Sequence, residues 1–206
     1  MERCASEHLE AQPVSDWETL YQTGEMRWEK GVPHPELIAT LRKLPLRGRV
    51  LVPGCGYGHD ARAIAATADE VIGIDIAPSA ISGAKKHPLV GGERYVLADL
   101  FHLPAALRGG FDWVFEHTCF CAIAPARRED YVAAVTNALA PSGRLLAIFY
   151  MNPEMDPGEE GPPFGTTKEE LDERFGAAFR VLAEWVPATT HPGREGRELC
   201  RVMERV

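Results

Sequence analysis

Residues 52–60 read VPGCGYGHD, with glycines at 54, 56 and 58 directly after the apolar run RVLV. Glycines at that spacing, at the end of a strand, let a ligand approach the backbone closely. The G-x-G-x-G spacing is not the G-x-G-x-x-G of dinucleotide sites, and it lacks the Gly-Lys-Ser/Thr ending of a P-loop. Asp75 closes the next apolar run, EVIGIDI, about twenty residues on, where a carboxylate can accept from both hydroxyls of a ribose. Asp99 closes the run RYVLADL, where the amine of an adenine could donate to it. Gly54, Gly56, Gly58, Asp75 and Asp99 at matching strand ends make an adenosine cradle. The plain alternative is a tight strand-to-helix turn with two aspartates that cap helices.

A second group of reactive types follows the later strands. EHTCFC puts Glu116 and His117 at a fourth strand end, with Glu116 facing the cradle and His117 either facing an acceptor as base or anion donor or serving as a hydrogen-bonded structural histidine. Tyr150 ends the fifth strand, and its hydroxyl could donate to an anion. Arg194, in PGREGRE, could bring positive charge to the mouth, its alternative being an exposed loop arginine. Cys119 and Cys121 have no basic cluster near them in sequence to lower their pKa, so they read as core or pocket wall, and Cys55 as wall inside the glycine turn. No cysteine or histidine spacing suggests a metal site.

These residues need elements to hold them. HPELIATLRKL, HDARAIAATA, SAISGAKK and ARREDYVAAVTNALA read as helices, alternating with the strands RVLVP, EVIGIDI, RYVLADL, FDWVFEHT and RLLAIFY. Thr167 caps a further helix, with Glu170 in capping-box position. That alternation predicts an α/β, Rossmann-like fold: a mostly parallel sheet with helices on both faces, ligands lying at the carboxyl ends of its strands. FRVLAEWVPATT and RELCRVMERV predict an antiparallel hairpin at one edge. Residues 1 to about 33 show little periodicity and are expected to be a cover over the site, within one domain spanning residues 1–206.

The 206 residues carry a formal net charge of −8 and no basic block, which argues against a nucleic-acid partner. No signal-peptide pattern or membrane-length apolar run is present, and five cysteines without paired spacing suit a reduced cytoplasm. The expected partner is a small molecule.

The strand-end pattern resembles the class I S-adenosylmethionine-dependent methyltransferases. RWEKGVPHPEL, RVLVPGCGYGHDA, GIDIAPSAI, FEHTCFCAIAPARREDYV and GPPFGTTKEEL narrow the resemblance to the thiopurine methyltransferase superfamily, in particular its halide, thiocyanate and thiol methyltransferase branch. Val52-Pro53 stands where most class I enzymes carry an acidic residue, which is the habit of that superfamily. The resemblance implies S-adenosylmethionine as cofactor and S-adenosylhomocysteine as product. It also implies that Trp17, Tyr21 and Trp28 line the sulfonium, a cation that aromatic faces attract by about 0.5–2 kcal/mol; the plain alternative is that they staple the N-terminal segment onto the core. Backbone groups or Asp60 would hold the methionine amino group, and Ile76, Leu100 and Phe101 would join the aspartates around the nucleoside. The expected reaction is in-line transfer of a methyl to a halide, thiocyanate, hydrosulfide or small thiol. Aromatic thiols, selenium or tellurium species and other small metabolites are alternative acceptors. A nicotinamide-dependent oxidoreductase and a noncatalytic nucleoside-binding protein are the readings from other classes.

Overall fold

The computed structural model describes residues 16–155, 158 and 161–206. The first part of the expected cover, residues 1–15, lies outside the described residues.

Seven strands form one sheet in the order β3-β2-β1-β4-β5-β7-β6. Strands β1 (Arg49–Pro53), β2 (Glu70–Asp75), β3 (Glu93–Leu97), β4 (Phe111–His117) and β5 (Leu139–Tyr150) run parallel. β7 (Glu198–Arg205) lies between β5 and β6 (Phe179–Trp185), antiparallel to both, so the closing hairpin sits at one edge as expected.

Side-chain alternation along the strands divides the core in two. Leu51 and Val114 face one layer with α5 (Arg128–Ala138) and α6 (Lys168–Phe175), while Val50, Val52 and Phe115 face the other with α2 (Pro35–Lys43) and α3 (His59–Ala65). The helix starts follow capping chemistry. Thr167 accepts from the Glu170 amide at 3.1 Å, and the His34 ring accepts from the Glu36 amide ahead of Pro35. Glu170 does not return the bond: its carboxylate holds Arg128, Thr166 and Arg174 instead.

Two local readings change. WETLYQT is the helix α1 (Trp17–Thr23), capped by Asp16 and ended by a left-handed Gly24. Its short apolar face, Trp17 and Tyr21, packs with Ala77 and Ala80 at the start of α4 (Pro78–Ala84), too few positions to give a periodic signal. β3 ends at Leu97, so Asp99 stands beyond the strand and caps the following turn, Leu100–His102.

Candidate active site

The glycine turn links β1 to α3 at the carboxyl edge of the sheet. Gly54, Gly56 and Gly58 all have left-handed φ, at 57°, 53° and 75°. A Cβ on Gly58 would stand 2.5 Å from the Tyr95 ring, and one on Gly54 would stand 3.2 Å from the side chain of Cys119. Asp75 is 7% exposed and staples this turn: its carboxylate accepts from the Gly56 amide at 3.0 Å and the Ala77 amide at 2.9 Å. Burial raises its pKa, and the backbone donors oppose the rise.

Above the turn, Trp17 and Tyr21 each meet Trp28 edge to face, at 5.2 and 5.6 Å between centroids. The Trp28 indole donates to the Tyr21 hydroxyl at 3.3 Å, and Tyr21 packs on Tyr57 of the glycine turn. Two carboxylates fasten this segment. Glu18 accepts from the amide and hydroxyl of Ser79, and Glu29 pairs with His59 at 2.9 Å.

The positions around the expected nucleoside differ among themselves. Ile76 is half-exposed. Asp99 accepts from the Phe101 amide at 2.9 Å and faces His102 at 2.7 Å, while the Arg127 guanidinium lies 4.0 Å from the centre of the Phe101 ring. Leu100 is buried in the hydrophobic core rather than turned to the cleft. Glu116 is likewise not on the cleft. It is 1% exposed and accepts from the amides of Cys119 and Phe120 and from the Tyr131 hydroxyl. Burial pushes its pKa up to about 7. Its work is to hold the turn after β4, where Thr118 takes the left-handed φ of 63°.

That turn presents His117 to a cleft lined also by Trp28, Gly54, Gly56, Thr118 and His191. His117 Nδ1 lies 2.7 Å from Asp60 Oδ2, and the His34 amide donates to Asp60 Oδ1 at 2.7 Å. Asp60, which also lines the cleft, thus has a hydrogen-bond partner from the histidines on each oxygen. Arg194 Nη1 donates to His117 Nε2 and to Glu198 Oε1, both at 3.2 Å. Glu198 Oε2 takes the other partner, His34 Nε2, at 3.0 Å. Arg194 has only donors, so His117 Nε2 holds the lone pair and Nδ1 carries the proton toward Asp60. Burial, helped by His34 and Arg194, lowers the pKa of His117 against the opposing pull of Asp60. For Asp60 and Glu198 burial acts upward, but the histidine contacts hold both below their usual values.

Arg194 is thus buried, not an exposed loop arginine, and it lies 4.5 Å from the centre of the Tyr150 ring. The rings of His34, His117 and His191 approach closely enough to suggest a metal site, with ligand atoms within 4.8 Å. Both nitrogens of His34 and of His117 are already hydrogen-bonded, and a guanidinium supplies the cation. His34 and His117 belong to a hydrogen-bonded cluster, and the His191 ring packs against both. His34, His191 and Glu198 escaped sequence reading, because nothing near them in the chain signals their meeting; only His-Pro before a helix hinted at His34 as a cap. Burial raises the thiols of Cys55, Cys119 and Cys121, the last to about 12, which leaves them walls rather than nucleophiles.

The nucleoside cofactor implied by the sequence fits this edge. Left-handed glycines leave every second position of the turn without a Cβ, an acidic side chain ends β2, and an aromatic cluster stands above.

The profile of the thiopurine S-methyltransferase family matches residues 13–204. A probable thiol methyltransferase 2 of Arabidopsis thaliana is 31% identical over 162 residues, 76% of this chain and 69% of the relative. Thiocyanate methyltransferase 1 of the same plant is 32% identical over 192 residues, 88% of this chain and 81% of the relative. Among solved structures, the 1,6-didemethyltoxoflavin N1-methyltransferase of Burkholderia thailandensis superposes with a TM-score of 0.69 at 20% identity, covering 93% of this chain and 86% of that one. At that identity the likeness is one of fold. Among the described residues no helix is long and apolar enough to cross a membrane.

Proposed function

The chain belongs to the thiopurine S-methyltransferase family of S-adenosylmethionine-dependent methyltransferases, and from that premise we propose that it methylates a small soft nucleophile: a halide, thiocyanate, hydrosulfide or small thiol. The observation that carries this reading is the buried Arg194 hydrogen-bonded to His117, a residue of the cleft that the glycine turn also lines. A guanidinium there suits an anionic acceptor, in a protein whose net charge is −8.

When bound, S-adenosylmethionine supplies a methyl group on a positively charged sulfur. Gly54, Gly56 and Gly58 leave room for its chain beside the backbone, and Asp75 receives the ribose hydroxyls. Ile76, Asp99 and Phe101 border the adenine. Trp17, Tyr21 and Trp28 close the segment 16–33 over the sulfonium and exclude water. Arg194 and Tyr150 hold the acceptor, with His117 beside it. Alignment and desolvation are then the protein's main contributions, since soft anions need little activation.

The test is a methyl-transfer screen over iodide, thiocyanate, hydrosulfide, small thiols, aromatic thiols and selenium species. Preference for the small soft acceptors supports the assignment. Turnover confined to aromatic thiols would move the chain to its thiopurine relatives, and cofactor binding without any turnover would make it a binding protein. For the cofactor side, Asp75→Ala should weaken S-adenosylmethionine binding about ten- to a hundredfold, as the loss of hydrogen bonds to a charged acceptor worth about 1.5–3 kcal/mol. Calorimetric titration of the folded variant measures it, and an unchanged affinity would remove Asp75 from the ribose site.

A further inference from the structure

We propose that Asp60 and His117 form a general-base pair, so that the enzyme methylates undissociated thiols near neutral pH as well as acceptors that are already anions. The proposal rests on the placing of the acceptor beside His117 given above.

The geometry has three parts. Asp60 is fixed at both oxygens, by the His34 amide and by His117 Nδ1, each at 2.7 Å. That contact sets the tautomer with its lone pair on Nε2. His117 lines the cleft together with Gly54, Gly56 and Asp60, and its Nε2 meets a buried guanidinium, Arg194. A histidine serving only to join α3 to β4 would need the Asp60 contact alone.

The charges facing His117 suit the role. Asp60 comes from α3, His34 from the cap of α2, Glu198 from β7, and Arg194 and His191 from the connection 186–197. Lys30, from the segment before α2, adds a cation near Arg194. The hydrogen-bonded cluster itself holds two carboxylates against one guanidinium, so an imidazolium formed there is compensated. At rest, burial keeps the ring neutral and able to accept.

In the step, Arg194 Nη1 swings off His117 Nε2, the thiol S–H bond breaks, and its proton passes to the freed Nε2 lone pair. The thiol sulfur bonds to the methyl carbon as that carbon's bond to the sulfonium sulfur breaks, the electron pair staying with the departing sulfur. Arg194 turns its donors to the sulfur as negative charge grows on it. The imidazolium then returns its proton to water at the cleft mouth.

The experiment is kcat/KM against pH for thiocyanate and for one small alkanethiol, with saturating S-adenosylmethionine, in the wild type, His117→Gln and Asp60→Asn. In the wild type the thiol rate should already be level from about pH 7 to 9, below the thiol's own ionisation. His117→Gln should cut thiol turnover at pH 7 by about a hundredfold or more, and the remainder should climb tenfold per pH unit. Thiocyanate turnover should fall by a much smaller factor. Asp60→Asn should follow the same pattern more weakly. A wild-type thiol rate that climbs tenfold per unit up to the thiol's own pKa overturns the pair, and needs no variant to be seen. So does an equal loss for both acceptors in His117→Gln. Absence of wild-type turnover on both would instead defeat the acceptor assignment beneath it.

Discussion

The two walls of the cleft are made in different ways. The glycine wall is local: one strand, one turn and one helix start within residues 49–65, stapled by Asp75 from the neighbouring strand. It works through backbone conformation. The histidine wall is assembled from positions 34, 60, 117, 191, 194 and 198, on α2, α3, β4, β7 and one loop, and it works through side-chain hydrogen bonds. Backbone curvature tolerates no added atoms. A side-chain network tolerates shape changes but not a missing charge.

The sharpest break should come from removing the one cation of the histidine wall. Arg194→Met leaves Glu198, buried beside it, with His34 as partner but no guanidinium. Removing one partner of a buried pair costs about 3–5 kcal/mol, and the surviving histidine contact puts the expectation near the lower figure. Urea unfolding measures it. A loss below about 1 kcal/mol would mean that solvent reaches the cluster as it reaches any surface pair.

The glycine wall should fail slightly less, and for a steric reason. Gly58→Ala sets a methyl at 2.5 Å from the Tyr95 ring and asks alanine to hold a φ of 75°. Overpacking and left-handed strain together cost about 2–3 kcal/mol. Adding Tyr95→Ala should remove the steric share and keep the conformational one, so a partial rescue is expected; full rescue would deny the strain.

The walls also part in their response to pH. Asp60 and Glu198 have folded pKa values below their ordinary ones, so their contribution is present above the carboxylate range and is lost as pH falls through it. Asp75, and Glu116 beneath the turn between the walls, are raised by burial. For Glu116 the window runs from the ordinary 4.5 to about 7. There the folded state binds more protons than the unfolded one, so stability declines as pH rises. Unfolding free energies across that window should show the decline in the wild type and a flatter line in Glu116→Gln. An unchanged slope would place the titration elsewhere.

The same contrast governs what could be read in advance. The glycine turn, Asp75 and the alternating strands announce themselves through spacing, because their chemistry lies within one supersecondary unit. Tyr150 and Arg194 could be named as polar groups near a strand end or loop, yet the burial of Arg194 depends on β7 returning beside β5. Glu116 misled for the opposite reason. The last residues of a strand alternate in direction, and His117 turned to the cleft sends Glu116 into the core layer with Tyr131. The turn after β4 also hid its strain, since nothing in EHTCFC marks a threonine at positive φ.

That threonine offers the mildest and most discriminating change. Thr118 holds φ at 63°, and its hydroxyl donates to the His117 carbonyl at 2.7 Å. A β-branched residue in that region costs about 1–2 kcal/mol, and the turn keeps it there because Glu116 takes the next two amides. Thr118→Gly should relieve the strain while adding about 0.5–1 kcal/mol of unfolded-state freedom. The net is a gain of up to about 1 kcal/mol, or a melting temperature higher by about 2–4 °C. Thr118→Ala keeps the positive φ and should bring no such gain. If the strain serves to aim His117, the glycine variant should lose turnover of the thiol while it gains stability, because its turn no longer fixes the ring. Stability and turnover rising together would mean that the bend is a by-product of packing between the two walls.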